Sequence, residues 1–282
     1  MSVRRFVARH GEWLLAPALY LAVTLLLYRE VWLPGAGRLR WFGWDCIESY
    51  WPDLAYFARA LHRGEWPLWN PYDRGGYAFY GDTVVGLYYP LSWLFAGLGA
   101  VMGTLGAWAI QAKALMHHVV AGATMHAYLR SRGLSRPAAL FGGVSWIVSS
   151  PMIIHKASAL LWPMVWAPLV WIATDRVMER LAQPGGWRRA AALAGALGLC
   201  GLAGPPPGFF YIIVASLGYG GLRAGQTLFR ARGEGRLGRE ALLLGRGLAI
   251  CAALVGALLA VTMLPAGVVA AESPRAARTL AY

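Results

Sequence analysis

The chain has 282 residues, of which 58% are hydrophobic and 14% are charged, and its formal net charge is +13. Soluble domains carry about 25% charged residues, so this composition, with its long apolar runs, is typical of an integral membrane protein. The arginines stand in short clusters between the apolar runs. This is the pattern of cytoplasmic loops, and it argues against a nucleic-acid partner.

The first apolar run extends from Trp13 to Leu33 and follows three arginines near the N-terminus. A helix of this length reaches about 30 Å, which is enough to cross the hydrocarbon core of a bilayer. Because arginine favours the cytoplasmic side, we expect the N-terminus in the cytoplasm. Residues 34–90 then form a long loop outside the membrane.

The outer loop 34–90 combines acids, aromatic residues and helix breakers. Apolar residues at helical spacing in Asp53–Arg63 predict a short amphipathic helix on the membrane surface. Two prolines exclude a helix in Trp66–Pro71, and Gly75-Gly76 permits a tight turn. The loop is therefore expected to be structured rather than a simple connection.

The arginine clusters set the number of crossings after the loop. An interfacial or re-entrant segment is predicted at about 91–104, an outer turn at Ser150–Ala159, and a basic cytoplasmic loop at 223–246. The sequence predicts an all-α integral membrane protein, a single domain over 1–282 with about seven transmembrane helices. The six predicted spans after the first lie at about 107–129, 137–150, 160–176, 189–204, 209–222 and 247–267.

Asp45 and Asp82 are the candidate catalytic residues. Six of the 13 acids lie in the loop 34–90, and Asp45 directly follows the first span. A carboxylate at a membrane surface among aromatic residues can act as a general base. Carboxylate oxygens also suit Mg²⁺ or Mn²⁺, so both residues are candidate metal ligands. The alternative for each is a solvated loop acid.

Basic and aromatic side chains supply candidates for substrate binding. His155 and Lys156 lie on a predicted outer turn, where a lysine can bind a lipid phosphate or extend to the interface. Arg74 is a further cation in the loop. Trp66 and Trp69 can stack on sugar rings or anchor the loop at the membrane interface.

The predicted span at 107–129 contains His117, His118 and His126 with no carboxylate nearby. Buried, hydrogen-bonded histidines are expected there rather than metal ligands. Lys113, near the outer end of the same span, is an alternative phosphate contact.

The run ALHRGEWPLWNPY, from Ala60 to Tyr72, is the most specific motif of the chain. Together with Asp45, Asp82 and the later YYP it resembles the YfhO-like bacterial membrane proteins of the GT-C glycosyltransferase superfamily. The resemblance covers the first half of the chain, and the remainder only by topology. Family members are usually much longer, so the chain is expected to be either a short protein or the N-terminal portion of a longer one.

This resemblance implies a sugar donor linked to polyprenyl phosphate, used at the outer face of the bacterial inner membrane. It implies that Asp45 is the first-loop aspartate, a base or metal-associated acid, and that Asp82 is a later acid of the same loop. The acceptor is unknown.

Two other classes of function stay open beside a glycosyltransferase. A transporter or flippase keeps ionisable groups in mid-membrane, where this chain has Lys113 and three histidines. A scaffold would bind a lipid-linked sugar without catalysis. The concentration of acids in the outer loop favours chemistry at the membrane surface.

Overall fold

The computed structural model describes residues 3–33, 42–43, 45–156, 158–180 and 186–272. This part of the chain is 79% helical, which confirms the nearly all-α fold. Two short strands, β1 (Trp69–Asn70) and β2 (Tyr77–Ala78), pair antiparallel. The helices are α1 (Val3–Leu27), α2 (Arg29–Trp32), α3 (Trp51–His62), α4 (Pro90–Met102), α5 (Trp108–Ser131), α6 (Arg136–Ile147), α7 (Ser150–Ile154), α8 (Leu161–Met164), α9 (Ala167–Arg180), α10 (Gly186–Leu202), α11 (Pro206–Gly233) and α12 (Leu237–Glu272).

Helix α5 is joined to α1 by buried pairs of histidine and tyrosine. His118 bonds to Tyr28 at 2.8 Å, and His126 bonds to Tyr20 at 2.9 Å. The other ring nitrogen of each histidine faces a carbonyl or carboxylate oxygen, so the tyrosine hydroxyl is the donor. His117 is also buried and hydrogen-bonded, which confirms the role predicted for the three histidines.

Large apolar side chains cover the outside of several helices. Among the described residues, two segments are long and apolar enough to cross a membrane, Arg136–Ile154 and Leu237–Glu272. In the second of these, Leu242 and Leu264 are exposed along a helix of 36 residues. Such a surface is unfavourable in water and favourable in lipid. These features indicate a membrane protein, whereas the count of seven spans stays a prediction.

The prediction of a cytoplasmic loop over 223–246 is wrong at the level of secondary structure. Helix α11 continues to Gly233 and α12 begins at Leu237, so residues 234–236 alone connect them. No proline interrupts this stretch, and arginine, alanine and leucine are good helix formers. Arg230 and Arg232 lie in the last turn of α11, where positive charge is favourable.

The other predicted ends also differ from the structure. The outer turn at Ser150–Ala159 contains the short helix α7, and the span at 160–176 is divided between α8 and α9. Pro168 lies in the first turn of α9. Because proline has no backbone N–H, it cannot donate a helical hydrogen bond to a carbonyl of α8, and the two helices stay separate. The first span ends earlier than predicted, at Leu27.

The loop 34–90 and the segment that follows it each contain a helix that the sequence predicts. Helix α3 confirms the predicted amphipathic helix, and a positive φ of 70° at Gly64 follows its end. Its apolar face, with Leu54, Phe57 and Ala58, is buried in the protein core, so the prediction that this face lies on the membrane surface is wrong. Helix α4 is separate from α5, as expected for the segment at 91–104. The β-hairpin was not predicted from the sequence.

The side of the membrane that each loop faces can be tested by cysteine labelling. A cysteine at the exposed position of Glu48 is expected to react with a membrane-impermeant maleimide added outside the cell. A cysteine at Gln226 is expected to react only after permeabilisation, because arginines surround it. The native Cys46, Cys200 and Cys251 are buried and give little background. The reverse labelling pattern would refute the topology.

Candidate active site in the first long loop

Asp45 begins the helical turn that leads into α3. The backbone from Cys46 to Tyr50 is wound as a π-helix, in which residues five apart face each other. The hydroxyl of Tyr50 accordingly donates to Asp45 Oδ2 at 3.1 Å. Asp45 is exposed, whereas the ring of Tyr50 packs edge-on against Trp162 at 5.5 Å between centroids. The π-turn thus holds an exposed carboxylate by one of its oxygens, and such turns are frequent at functional sites.

The hairpin of β1 and β2 turns through three residues in the left-handed region. Arg74, Gly75 and Gly76 have φ angles of 53°, 73° and 95°. The Asn70 side chain supports the turn by accepting the Tyr72 backbone N–H at 3.1 Å. Glycine adopts such angles freely, but for arginine they store about 1–3 kcal/mol of strain. Arg74 is the only non-glycine residue of the described chain with this conformation, so its contacts must hold it there.

The guanidinium of Arg74 lies among three carboxylates. It is 3.1 Å from Asp82, 3.3 Å from Asp73 and 3.6 Å from Asp53. Nη2 also donates to Ser49 Oγ at 2.7 Å. Because Ser49 belongs to the π-turn, this bond joins the hairpin to the segment that begins at Asp45. The side chains of the π-turn, of α3, of the hairpin and of Asp82 just after it are called the Arg74 cluster below: Ser49, Asp53, Asp73, Arg74, Tyr77 and Asp82.

Asp53 is the buried acid of the Arg74 cluster. Its side chain is 2% exposed, and its Oδ1 accepts the hydroxyl of Tyr77 at 2.5 Å. Burial raises the pKa of Asp53 to about 6, against the opposing effects of the Tyr77 hydrogen bond and the Arg74 charge. Burial and the neighbouring carboxylate raise the pKa of Tyr77, which keeps the hydroxyl as the donor. Asp53 can therefore bind a proton close to neutral pH.

The stability of the protein is expected to fall as the pH rises from about 4 to about 6. The pKa of Asp53 is about 6 in the folded protein against 3.8 in a model peptide, so the folded state binds the proton more tightly in this window. The full difference in pKa corresponds to about 3 kcal/mol of stabilisation of the folded state. This stabilisation is present below pH 4 and lost above pH 6. Thermal unfolding measured from pH 4 to 8 tests this. Asp53→Asn should flatten the dependence, and an unchanged slope would contradict the assignment.

Asp82 is engaged through both of its oxygens. Oδ2 accepts from Arg74, and Oδ1 accepts the backbone N–H of Val84 at 2.8 Å. Within the described ranges, no group of three or more His, Cys, Asp or Glu side chains gathers in a way that would hold a metal. The guanidinium already supplies the positive charge between these acids. The divalent cation predicted at Asp45 and Asp82 therefore does not fit this arrangement.

The two candidate tryptophans lie in different surroundings. Trp66 is 49% exposed and packs beside Trp93 of α4 and Tyr88, at 5.7 and 6.5 Å between ring centroids. Trp69 is 56% exposed, and its indole lies on Gly76, where a Cβ would come within 3.0 Å of the ring. Trp69 therefore presents one free face on the same hairpin as the Arg74 cluster, whereas Trp66 belongs to an aromatic group beside α4.

The turn that carries His155 and Lys156 reaches the start of the outer loop. Lys156 is exposed, His155 is half-buried, and the Lys156 Nζ lies 5.9 Å from the ring centre of Tyr28. Tyr28 follows α1 and packs edge-on against Phe42 at 5.5 Å. Lys156 thus lies near Phe42, three residues before Asp45, at the start of the π-turn.

The prediction of Lys113 as a phosphate contact is wrong. Its side chain is 1% exposed, and Nζ donates to Ser92 Oγ at 2.9 Å. The ammonium also lies 3.6 Å from the ring centre of Trp162, which supports Tyr50 on the other side. Lys113 therefore packs beneath the π-turn, where a lipid headgroup cannot reach it.

Asp53 is missing from the predicted site residues, although the sequence carries a signal for it. Asp53, Phe57 and Ala60 are spaced by four and three residues and share the buried face of α3. A carboxylate on the apolar face of an amphipathic helix needs a partner, because burying an unpaired charge is costly. Its partner, Arg74, lies 21 positions along the chain and is brought close only by the hairpin.

Comparison of the chain with family profiles, with curated proteins and with solved structures gave no match. The resemblance to the YfhO-like proteins and to the GT-C superfamily therefore stays a prediction. It rests on the motif between Ala60 and Tyr72 and on the acids of the outer loop.

Proposed function

We propose that this protein is a membrane glycosyltransferase that moves a sugar from a polyprenyl phosphate-linked donor to an acceptor at the outer face of the bacterial inner membrane. The observation that carries the proposal is that Asp45 directly precedes the π-turn whose Ser49 accepts a hydrogen bond from Arg74. An exposed, oriented carboxylate suits a general base. A strained arginine held among acids is the kind of feature found at active sites.

Asp45 is proposed as the general base. It takes the proton of the acceptor hydroxyl while the hydroxyl oxygen attacks the anomeric carbon of the donor sugar. The bond from that carbon to the phosphate oxygen breaks, and polyprenyl phosphate leaves with the electron pair. A single displacement of this kind inverts the configuration, as the resemblance to GT-C enzymes implies. The Tyr50 hydroxyl orients the carboxylate for this step.

The Arg74 cluster is proposed to bind hydroxyl groups of the sugar rather than the phosphate. One guanidinium stands against three acids there, so an approaching phosphate meets net negative charge when they are ionised. Carboxylate oxygens instead accept hydrogen bonds from sugar hydroxyls. The free face of Trp69 lies on the same hairpin and can cover a sugar ring, with Trp66 as a second aromatic contact.

Lys156, with His155 beside it, is proposed to bind the phosphate of the donor. Lys156 is exposed and forms no ion pair with any acid in the described part of the chain. A free ammonium attracts a phosphate as a point charge. The alternative is that Lys156 only extends to the membrane interface, which the same position would allow. In that case Lys156→Ala would leave donor binding unchanged.

A transporter is the principal alternative, and the spacing of groups in α5 weighs against it. His118 and His126 are eight residues apart, roughly 12 Å along a helix. Ala121 and Gly122 fill this interval and are buried, and a Cβ on Gly122 would overlap the ring of Tyr20. A proton or ion would have to cross this packed gap, so surface chemistry is preferred.

Transfer from a panel of synthetic polyprenyl phosphate sugars tests the proposal. The purified protein in lipid nanodiscs is expected to move sugar from at least one donor, and Asp45→Asn is expected to abolish this. Donor binding without transfer in the wild-type protein would favour the scaffold alternative. Absence of both binding and transfer would remove the proposal.

A further inference from the structure

A second surface of the outer loop combines arginines and exposed aromatic rings. Arg59 of α3 and Arg63, the residue that follows the helix, are four residues apart and lie on one side of it. Tyr72 of the hairpin lies beside them, with the Arg59 guanidinium 5.6 Å from its ring centre. Tyr72 is 65% exposed and Trp69 is 56% exposed. These residues, with Tyr56, are called the arginine–tyrosine surface.

Contacts of Tyr56 and of the buried Phe79 hold the arginine–tyrosine surface in place beside the Arg74 cluster. The Tyr56 hydroxyl donates to the backbone oxygen of Trp69 at 2.6 Å, and its ring packs against Tyr72 at 6.2 Å. Tyr56 also packs on the buried ring of Phe79 at 4.9 Å, and Tyr77 of the Arg74 cluster packs on the same ring at 6.1 Å. The two sets of residues are therefore neighbours across one aromatic side chain.

The charges of this surface are available to a ligand. Neither Arg59 nor Arg63 forms an ion pair with a carboxylate in the described ranges, in contrast to Arg74 with three. Arg63 is hydrogen-bonded to Tyr72, and Glu65 is the carboxylate whose charge acts on it, so this surface carries two guanidinium groups and one acid. Guanidinium groups bind carboxylate and phosphate oxygens through paired N–H donors, and flat aromatic rings suit the apolar faces of sugars.

We propose that the arginine–tyrosine surface binds the acceptor and that the acceptor is an anionic saccharide. Its assignment to the acceptor, rather than to another ligand, rests on the proposed function. Aromatic residues and arginine also occur at membrane interfaces. The apolar surface for lipid contact lies after the loop, on the uncharged helix α4, where Leu94, Leu98 and Val101 are exposed.

Binding of short oligosaccharides to the full-length protein in neutral detergent tests this proposal. Oligomers of galacturonic acid are the anionic probe, and maltose oligomers of equal length are the neutral one. Isothermal titration is expected to show at least tenfold tighter binding of the acidic oligomer, with the preference decreasing as salt is added. The double variant Arg59→Gln/Arg63→Gln is expected to lose this preference, about tenfold in affinity.

The matched control is Arg232→Gln/Arg239→Gln, which removes the same charge from exposed positions of α11 and α12 and should leave binding unchanged. Tyr72→Ala should weaken both oligomers, because it removes an aromatic surface rather than a charge. Thermal unfolding within a few degrees of wild type establishes that each variant is folded.

Four results would overturn the proposal: equal affinity for the two oligomers, wild-type affinity in the double arginine variant, binding to anionic phospholipid vesicles in place of saccharide, or transfer to neutral acceptors alone. Binding of the acidic oligomer that depends on Arg59 and Arg63 would support the proposal even without sugar transfer. In that case the proposed glycosyltransferase activity would be contradicted, whereas the binding of an anionic saccharide at this surface would be supported. Transfer to neutral acceptors alone would contradict the anionic acceptor but support the proposed glycosyltransferase.

Discussion

Replacing Asp45 with asparagine is expected to lower the rate of sugar transfer by about 10²–10⁴-fold. Asparagine keeps the shape of the side chain and can still accept the hydrogen bond of Tyr50, but it cannot take a proton. The folded protein should be little affected, because Asp45 is exposed. Initial rates at saturating donor measure the effect, with donor affinity determined separately and expected to survive.

Glu48 provides the matched control for this experiment. It is an exposed acid in the same π-turn, so Glu48→Gln makes the same chemical change beside Asp45. Its transfer rate is expected to stay within about threefold of wild type. Near-normal transfer in Asp45→Asn, combined with loss of transfer in Asp82→Asn, would reverse the roles assigned to these two acids.

Arg74→Met is expected to destabilise the folded protein by about 3 kcal/mol at pH 8. The substitution leaves Asp53 buried and ionised without the cation that lies 3.6 Å from it. At pH 5 the loss should be smaller, because the pKa of Asp53 is about 6 and the acid is then largely protonated. Chemical or thermal unfolding at the two pH values measures the difference.

Arg63→Met is the control for Arg74→Met, since it removes an exposed arginine without an ion pair in the described chain. It is expected to change the unfolding free energy by less than about 0.5 kcal/mol. Adding Asp53→Asn to Arg74→Met should restore much of the lost stability, because the unpaired charge is then gone. Equal stability of the two single arginine variants at pH 8 would show that the cluster is not held by Arg74.

The positions of the helices were predictable because apolar runs and prolines are local signals. The ends of α11 and α12 were not, because arginine marks the side of a membrane but does not end a helix. The hairpin has strands of two residues each, too short for an alternating pattern to stand out. Its turn was visible only as the pair Gly75-Gly76.

The site was predictable in its residue types but not in its pairings. Asp82 and Arg74 were both candidates, yet their contact depends on the left-handed turn of the hairpin. The burial of Asp53 and of Lys113 depends on what packs over α3 and α5, which a single sequence does not reveal. The binding role of Lys156 and the catalytic role of Asp45 stay predictions.

The pairing of α1 with α5 has a consequence for how the chain is made. Glu12 of α1 bonds to His126 at 3.0 Å, but that partner is 114 residues further along the chain. At about 5–20 residues per second, a ribosome needs roughly 6–23 s to reach it. During that interval Glu12 and Tyr20 of the first helix, and Tyr28 just after it, lack their later partners. Because an unpaired polar group is costly to remove from water, these groups need water or another polar partner until α5 has been synthesised.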